Sequence, residues 1–125
     1  MRKNEVMNAM AEQLSDNGLR NVSAYFASLP TPSPATPPDA APEDTELGGK
    51  VAQAIHCTNC HGDHLEGVDN IPRLSGQRED YLYEVLRDFK SGARTSTGAA
   101  GMVEVVYPLG DLEMKALAHY LSRPH

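Results

Sequence analysis

The 125-residue chain has no Trp, two Phe and five Tyr, so aromatic side chains make up only 6% of it. That is a thin supply of large apolar groups for a self-sufficient core at this length, and a non-protein group is expected to fill part of the interior. Cysteine is nearly absent as well: Cys57 and Cys60 are the only two and lie three residues apart, which excludes a disulfide framework. No apolar run approaches the roughly 18 residues that would span a bilayer. Basic stretches and basic-aromatic interleaving are missing, and the formal charge is −6, from 11 Lys and Arg against 17 Asp and Glu. Nucleic acid is excluded as a partner on that balance. The opening Met1-Arg2-Lys3-Asn4-Glu5 leads into a polar helix pattern without the apolar stretch of a signal peptide, so no export signal is expected in the chain as given.

Proline, by contrast, is plentiful and unevenly placed. Six of the nine prolines fall between Pro30 and Glu46. Such density keeps a backbone near polyproline II, and 17 residues of it reach up to roughly 50 Å, so residues 30–46 read as a linker. A Pro-rich ligand for another domain is the alternative. This segment holds four acids and no base, whereas residues 1–29 balance three against three and residues 47–125 carry eight bases and ten acids. Most of the net charge therefore belongs to the linker.

Beyond the linker the apolar spacing is helical throughout, with no alternating run long enough for a sheet. Three helices are expected. The first covers about Glu46 to His56, with Leu47, Val51 and Ile55 on one face. A second runs from about Glu79 to Lys90 on a stripe of Tyr81, Leu82, Val85, Leu86 and Phe89, and Gly92 stops it. The last covers about Asp111 to Ser122 with Met114, Leu117, Ala118 and Leu121 inward, and Asp111 suits its amino-terminal end.

The sequence also repeats itself across the linker. Residues 14–26, LSDNGLRNVSAYF, lie over residues 109–121, LGDLEMKALAHYL, at a constant offset of 95, with Leu, Asp and Tyr matched. The same register sets Met7 opposite Met102, each seven residues before the shared Leu.

One motif carries chemistry. Cys57-Thr58-Asn59-Cys60-His61 is the C-x-x-C-H haem attachment pattern, in which both thiols reach the vinyl groups of one porphyrin and the following His falls beneath the iron. A zinc site built from Cys57, Cys60, His61 and His64 is the structural alternative, although four ligands within eight residues are cramped. A thioredoxin-like redox pair is weaker, for want of any β-α-β pattern. A six-coordinate haem needs a second ligand, and Met102, Met114 and His119 are the downstream choices. Met102 is preferred because it follows a flexible Gly-rich segment, residues 97–101, that can fold across the distal face. Met114 lies on the apolar stripe of the last helix, where core filling is the ordinary role. An open coordination position would instead suit a haem enzyme or gas sensor.

Taken together, Gly49-Lys50, CTNCHG at 57–62, Ile71-Pro72-Arg73-Leu74-Ser75-Gly76-Gln77, Tyr81-Leu82 and Phe89-Lys90-Ser91-Gly92-Ala93-Arg94 make the chain from about Leu47 to Leu121 resemble a class I cytochrome c. Tandem two-haem cytochromes of the c-four type, and the cytochrome subunit of flavocytochrome c sulfide dehydrogenases, are the particular resemblance. It implies an all-α fold wrapped around one haem c (iron), covalent through Cys57 and Cys60, with His61 and Met102 as ligands and Pro72 and Leu74 lining the proximal side. By the same resemblance Gly49 lets the first helix cross close to Tyr120. The implied division is a remnant of a preceding cytochrome c domain at 1–29 (Met loop and last helix), the linker at 30–46, and a cytochrome c domain at 47–125; a swapped element is the alternative for 1–29. The implied role is a periplasmic electron carrier and not an enzyme, serving an oxidase, reductase or dehydrogenase subunit. Its parent would be exported, and peripheral membrane association stays open.

Overall fold

The computed structural model describes residues 4–30, 41–95 and 98–125, so most of the expected linker lies outside the described residues. Helices supply the regular structure, and among the described residues the one β feature is an isolated antiparallel bridge between Val68 and Ile71. The chain divides into two units, Met1–Pro32 and Ser33–His125.

The first unit is a helix pair, α1 (Glu5–Ala11) and α2 (Asp16–Ser28). Each starts on a side-chain cap: Asn4 Oδ1 accepts the Met7 amide at 3.0 Å and Ser15 Oγ accepts the Gly18 amide at 3.1 Å. Neither helix buries a residue.

The second unit holds α3 (Pro42–Ala54), α4 (Thr58–His61), α5 (Glu79–Ser91), α6 (Ala99–Val106) and α7 (Asp111–Ser122). Helix α3 begins inside the segment read as linker. Pro42 costs nothing in the first turn, where its missing amide would have no partner, and Glu43 and Asp44 suit the positive end of the helix. Its buried side is Gly48, Val51 and Ala52, while Leu47 is exposed. The face is turned because α7 must come into backbone contact. A Cβ on Gly48 would lie 2.1 Å from the Ala116 carbonyl oxygen and 2.6 Å from Tyr120 Cβ. At Gly49 it would meet only the edge of the Tyr120 ring, at 3.3 Å. The close crossing expected at Gly49 is thus made by its neighbour, Gly48.

Helices α5 and α7 follow their expected stripes, burying Leu82, Leu86 and Phe89 on the one and Met114, Leu117, Ala118 and Leu121 on the other. Gly92 ends α5 in the left-handed region, at φ 74°. Helices α4 and α6 were not expected from the spacing, being four and eight residues long.

Candidate functional site

Everything at the Cys-Cys-His motif depends on how α3 ends. His56 takes a left-handed backbone (φ 56°), its amide donates to Gln53 O at 3.2 Å, and the Cys57 amide reaches back to Ala52 O at 3.1 Å. That reversal closes α3 and starts α4 at once. Cys57 is consequently half-buried, packed against the hydrophobic core, and burial pushes its thiol up to about 11. Cys60 is exposed.

His61 is buried, with 6% of its surface accessible. Its Nδ1 lies 2.7 Å from the carbonyl oxygen of Pro72. A carbonyl only accepts, so Nδ1 carries the proton and Nε2 remains as the lone-pair nitrogen, the form in which imidazole binds a metal. The loop between His61 and Pro72 is folded tightly on itself to make this contact. Gly67, at φ 86°, donates to His61 O at 2.7 Å, and a Cβ there would strike the Arg73 amide nitrogen at 2.7 Å. Leu65 takes a left-handed backbone at φ 55° although it is not glycine, an expense of about 1–2 kcal/mol. Its burial offsets that expense, and its carbonyl accepts the Leu74 and Ser75 amides at 2.9 and 3.1 Å.

The remaining expected residues are distributed as follows. Pro72 is exposed and contributes its carbonyl, while Leu74 is half-buried against the core. Met102 is also half-buried against that core, but it stands on α6 and not in a flexible segment. Ala99 and Ala100 favour helix enough to offset Gly101, and Val103 and Val106 give the turn an inward face. Residue 97, the first of the Gly-rich stretch, lies outside the described residues. Met114 is buried in the core, and His119 Nδ1 sits 2.9 Å from the Glu79 carboxylate. The zinc arrangement finds no counterpart: among the described residues no three His, Cys, Asp or Glu side chains converge as metal ligands.

A haem fits this donor set: a buried imidazole with one nitrogen tied to a carbonyl, two thiols three residues apart, and an apolar wall beside one of them. A family model described as cytochrome c matches residues 45–123. The chain belongs to the cytochrome c family. Membership brings an all-α class I fold and a haem c joined covalently through the Cys57 and Cys60 pair.

This cytochrome c is 35% identical to cytochrome c4 of Azotobacter vinelandii over 95% of the chain and 60% of that protein. It is 30% identical to a thiosulfate dehydrogenase electron acceptor of Thiomonas intermedia, over 97% of the chain and 59% of that protein. The crystal structure of reduced recombinant cytochrome c4 from Pseudomonas stutzeri superposes with a TM-score of 0.81 at 34% identity, covering 99% of this chain and 68% of that one. The chain therefore spans about three fifths of the length of these curated relatives. No helix among the described residues is long and apolar enough to cross a membrane.

Two features of the site escaped sequence reasoning. The acceptor for His61 is a backbone carbonyl, which no side-chain motif encodes, although Pro72 eleven residues on is the visible trace of it. The close approach was expected at Gly49, whereas the backbone contact with α7 is made at Gly48.

Proposed function

We propose that this cytochrome c is a periplasmic single-electron carrier whose iron is ligated by His61 and Met102, and that it passes electrons between redox proteins without acting as an enzyme. The observation that carries this reading is the buried His61 ring, held by Pro72 O with Nε2 left for the metal. The haem supplies a one-electron change at iron. His61 is held in one orientation by Pro72 O, so it has no ring flip to make when the charge at the site changes. Leu74 and Met102 pack against the core, where Leu65, Leu86 and Leu117 exclude water, and a thioether ligand in dry surroundings favours the reduced state. Pro72 and Leu74 belong to the His61 side.

Partners are redox proteins of the oxidase, reductase or dehydrogenase-subunit kind. The relative named as a thiosulfate dehydrogenase electron acceptor supports that class. Covalent haem attachment, which takes place outside the cytoplasm, supports the compartment. Residues 1–29 are read as the Met-bearing helix and last helix of a preceding cytochrome c domain, residues 30–46 as the linker and 47–125 as the haem domain, with α3 drawing 42–46 into that domain. Helix α2 begins 95 residues before α7, and α1 before α6 to within one residue, which supports the reading.

Absorption spectra test it. The reduced protein is expected to show sharp low-spin bands unchanged by carbon monoxide, and Met102→Ala to abolish the near-infrared iron–sulfur band of the oxidised form. A band that survives the substitution sinks Met102 as ligand, and a carbon monoxide shift in the parent protein points to the open-site enzyme or sensor.

A further inference from the structure

The segment Phe89-Lys90-Ser91-Gly92-Ala93-Arg94 has no part in haem attachment, yet its geometry converges on one side chain. Lys90 Nζ donates to Tyr107 O at 3.0 Å and to Leu109 O. Tyr107 caps α6, the helix that carries Met102, and Leu109 lies two residues beyond that cap in the turn toward α7, its amide donating to Val106 O at 3.0 Å. Helix ends leave carbonyls without amide partners and carry partial negative charge, and an ammonium answers both needs. The rest of the segment holds Lys90 in place. Phe89 is buried, Gly92 turns the chain in the left-handed region, and Arg94 folds back with its guanidinium 4.9 Å from the Phe89 ring centre and its amide on Asp88 O at 3.1 Å.

Helix α6 needs such a clamp. It is eight residues long, contains Gly101, and starts at Gly98 with no side-chain cap. Isolated helices of that length do not persist in water.

We infer that Lys90 is a positioning residue for Met102, the ammonium clamp that ties the carboxyl end of α6 to α5 and thereby holds the thioether toward the haem. The inference rests on the reading of Met102 as ligand.

The test uses the haem-loaded chain with Lys90→Met, which keeps the apolar stem and removes the charge, and Lys90→Arg, which restores it. Amide hydrogen exchange in α6 is expected to quicken about tenfold in K90M, the size of one charged hydrogen bond. Carbon monoxide binding to the reduced protein should rise by a similar factor. Exchange in α3 and α7 should stay at the parent rate, and K90R should recover most of the protection. Unchanged α6 exchange and unchanged carbon monoxide binding in K90M would overturn the inference, as would an equal loss of protection across α3 and α7, the sign of a merely structural role. If Met102→Ala leaves the near-infrared band intact, the ligand reading is what fails; if Met102→Ala acts and K90M does not, the clamp alone fails.

Discussion

Helices α1–α2 and α6–α7 are built on one pattern and live in opposite circumstances. Locally the first pair is the better made: Asn4 and Ser15 cap its helices with side-chain oxygens, whereas Gly98 and Gly110 at the corresponding ends have no side chain to offer. Yet α2 leaves Val22 42% and Phe26 65% accessible, and their counterparts at the 95-residue offset, Leu117 and Leu121, are 1% and 2% accessible. Caps are worth about 1 kcal/mol each. A buried leucine contributes two or three times that. The difference teaches that the amphipathic stripe is shared by both pairs, while burial depends on α3 and α5 standing beside α7.

The sharpest way to break that comparison is to truncate matching positions. Leu117→Ala is expected to cost about 3–4 kcal/mol in denaturant unfolding of the haem-loaded chain, because a fully enclosed leucine leaves a cavity. Val22→Ala should stay within about 0.5 kcal/mol of the parent. Equal losses would mean that α2 has a packed partner in solution and that the two pairs are alike after all.

A smaller effect sharpens the role of α3. Gly48→Ala drives a methyl group into the Ala116 carbonyl and must spread α3 from α7, at about 2–3 kcal/mol despite alanine's better helix propensity. Gly49→Ala meets only the Tyr120 ring edge at 3.3 Å, and should cost less than about 1 kcal/mol. Thermal melts of the two variants check the order. If G49A proves the worse, the helix crossing lies one residue further along than the structure places it.

How much of this was legible in the sequence follows from the range of each interaction. The stripes of α5 and α7 were readable because their burial repeats at helical spacing, and Gly92 marked an end through its own backbone preference. The Cys57-Cys60-His61 motif was readable because covalent attachment demands those residue types at that spacing. Helix α6 was not: Gly98 and Gly101 argue locally for a loop, and the clamp on its far end comes from Lys90, 17 residues before Tyr107. The buried face of α3 was misjudged at Leu47 for the same reason, since the element that turns it, α7, lies more than sixty residues away. What crosses the sequence at long range and ends on a backbone atom, as His61 does on Pro72 O, leaves little trace in residue type.

The smallest predicted effect concerns the start of α7. Asp111 accepts from the Tyr83 hydroxyl and pairs with Lys115 Nζ at 2.9 Å, and these two, Tyr83 first, hold its carboxyl below the usual carboxylate range. A depressed folded-state value means that the carboxylate stabilises the fold above its ordinary titration range, and that this is lost as pH falls through the lower folded value. Asp111→Asn should therefore lower the melting temperature near neutral pH, with the gap to the parent narrowing as pH drops from about 5 to about 2. The side chain is exposed, so about 1 M salt should shrink the neutral-pH gap as well. Melts at both pH values and both salt concentrations check this. A gap indifferent to pH would show that Asp111 acts through its shape in the first turn and not through its charge. Tyr83 reaches it from α5, so a pH-dependent gap would also mark this corner of α7 as held by a neighbouring helix.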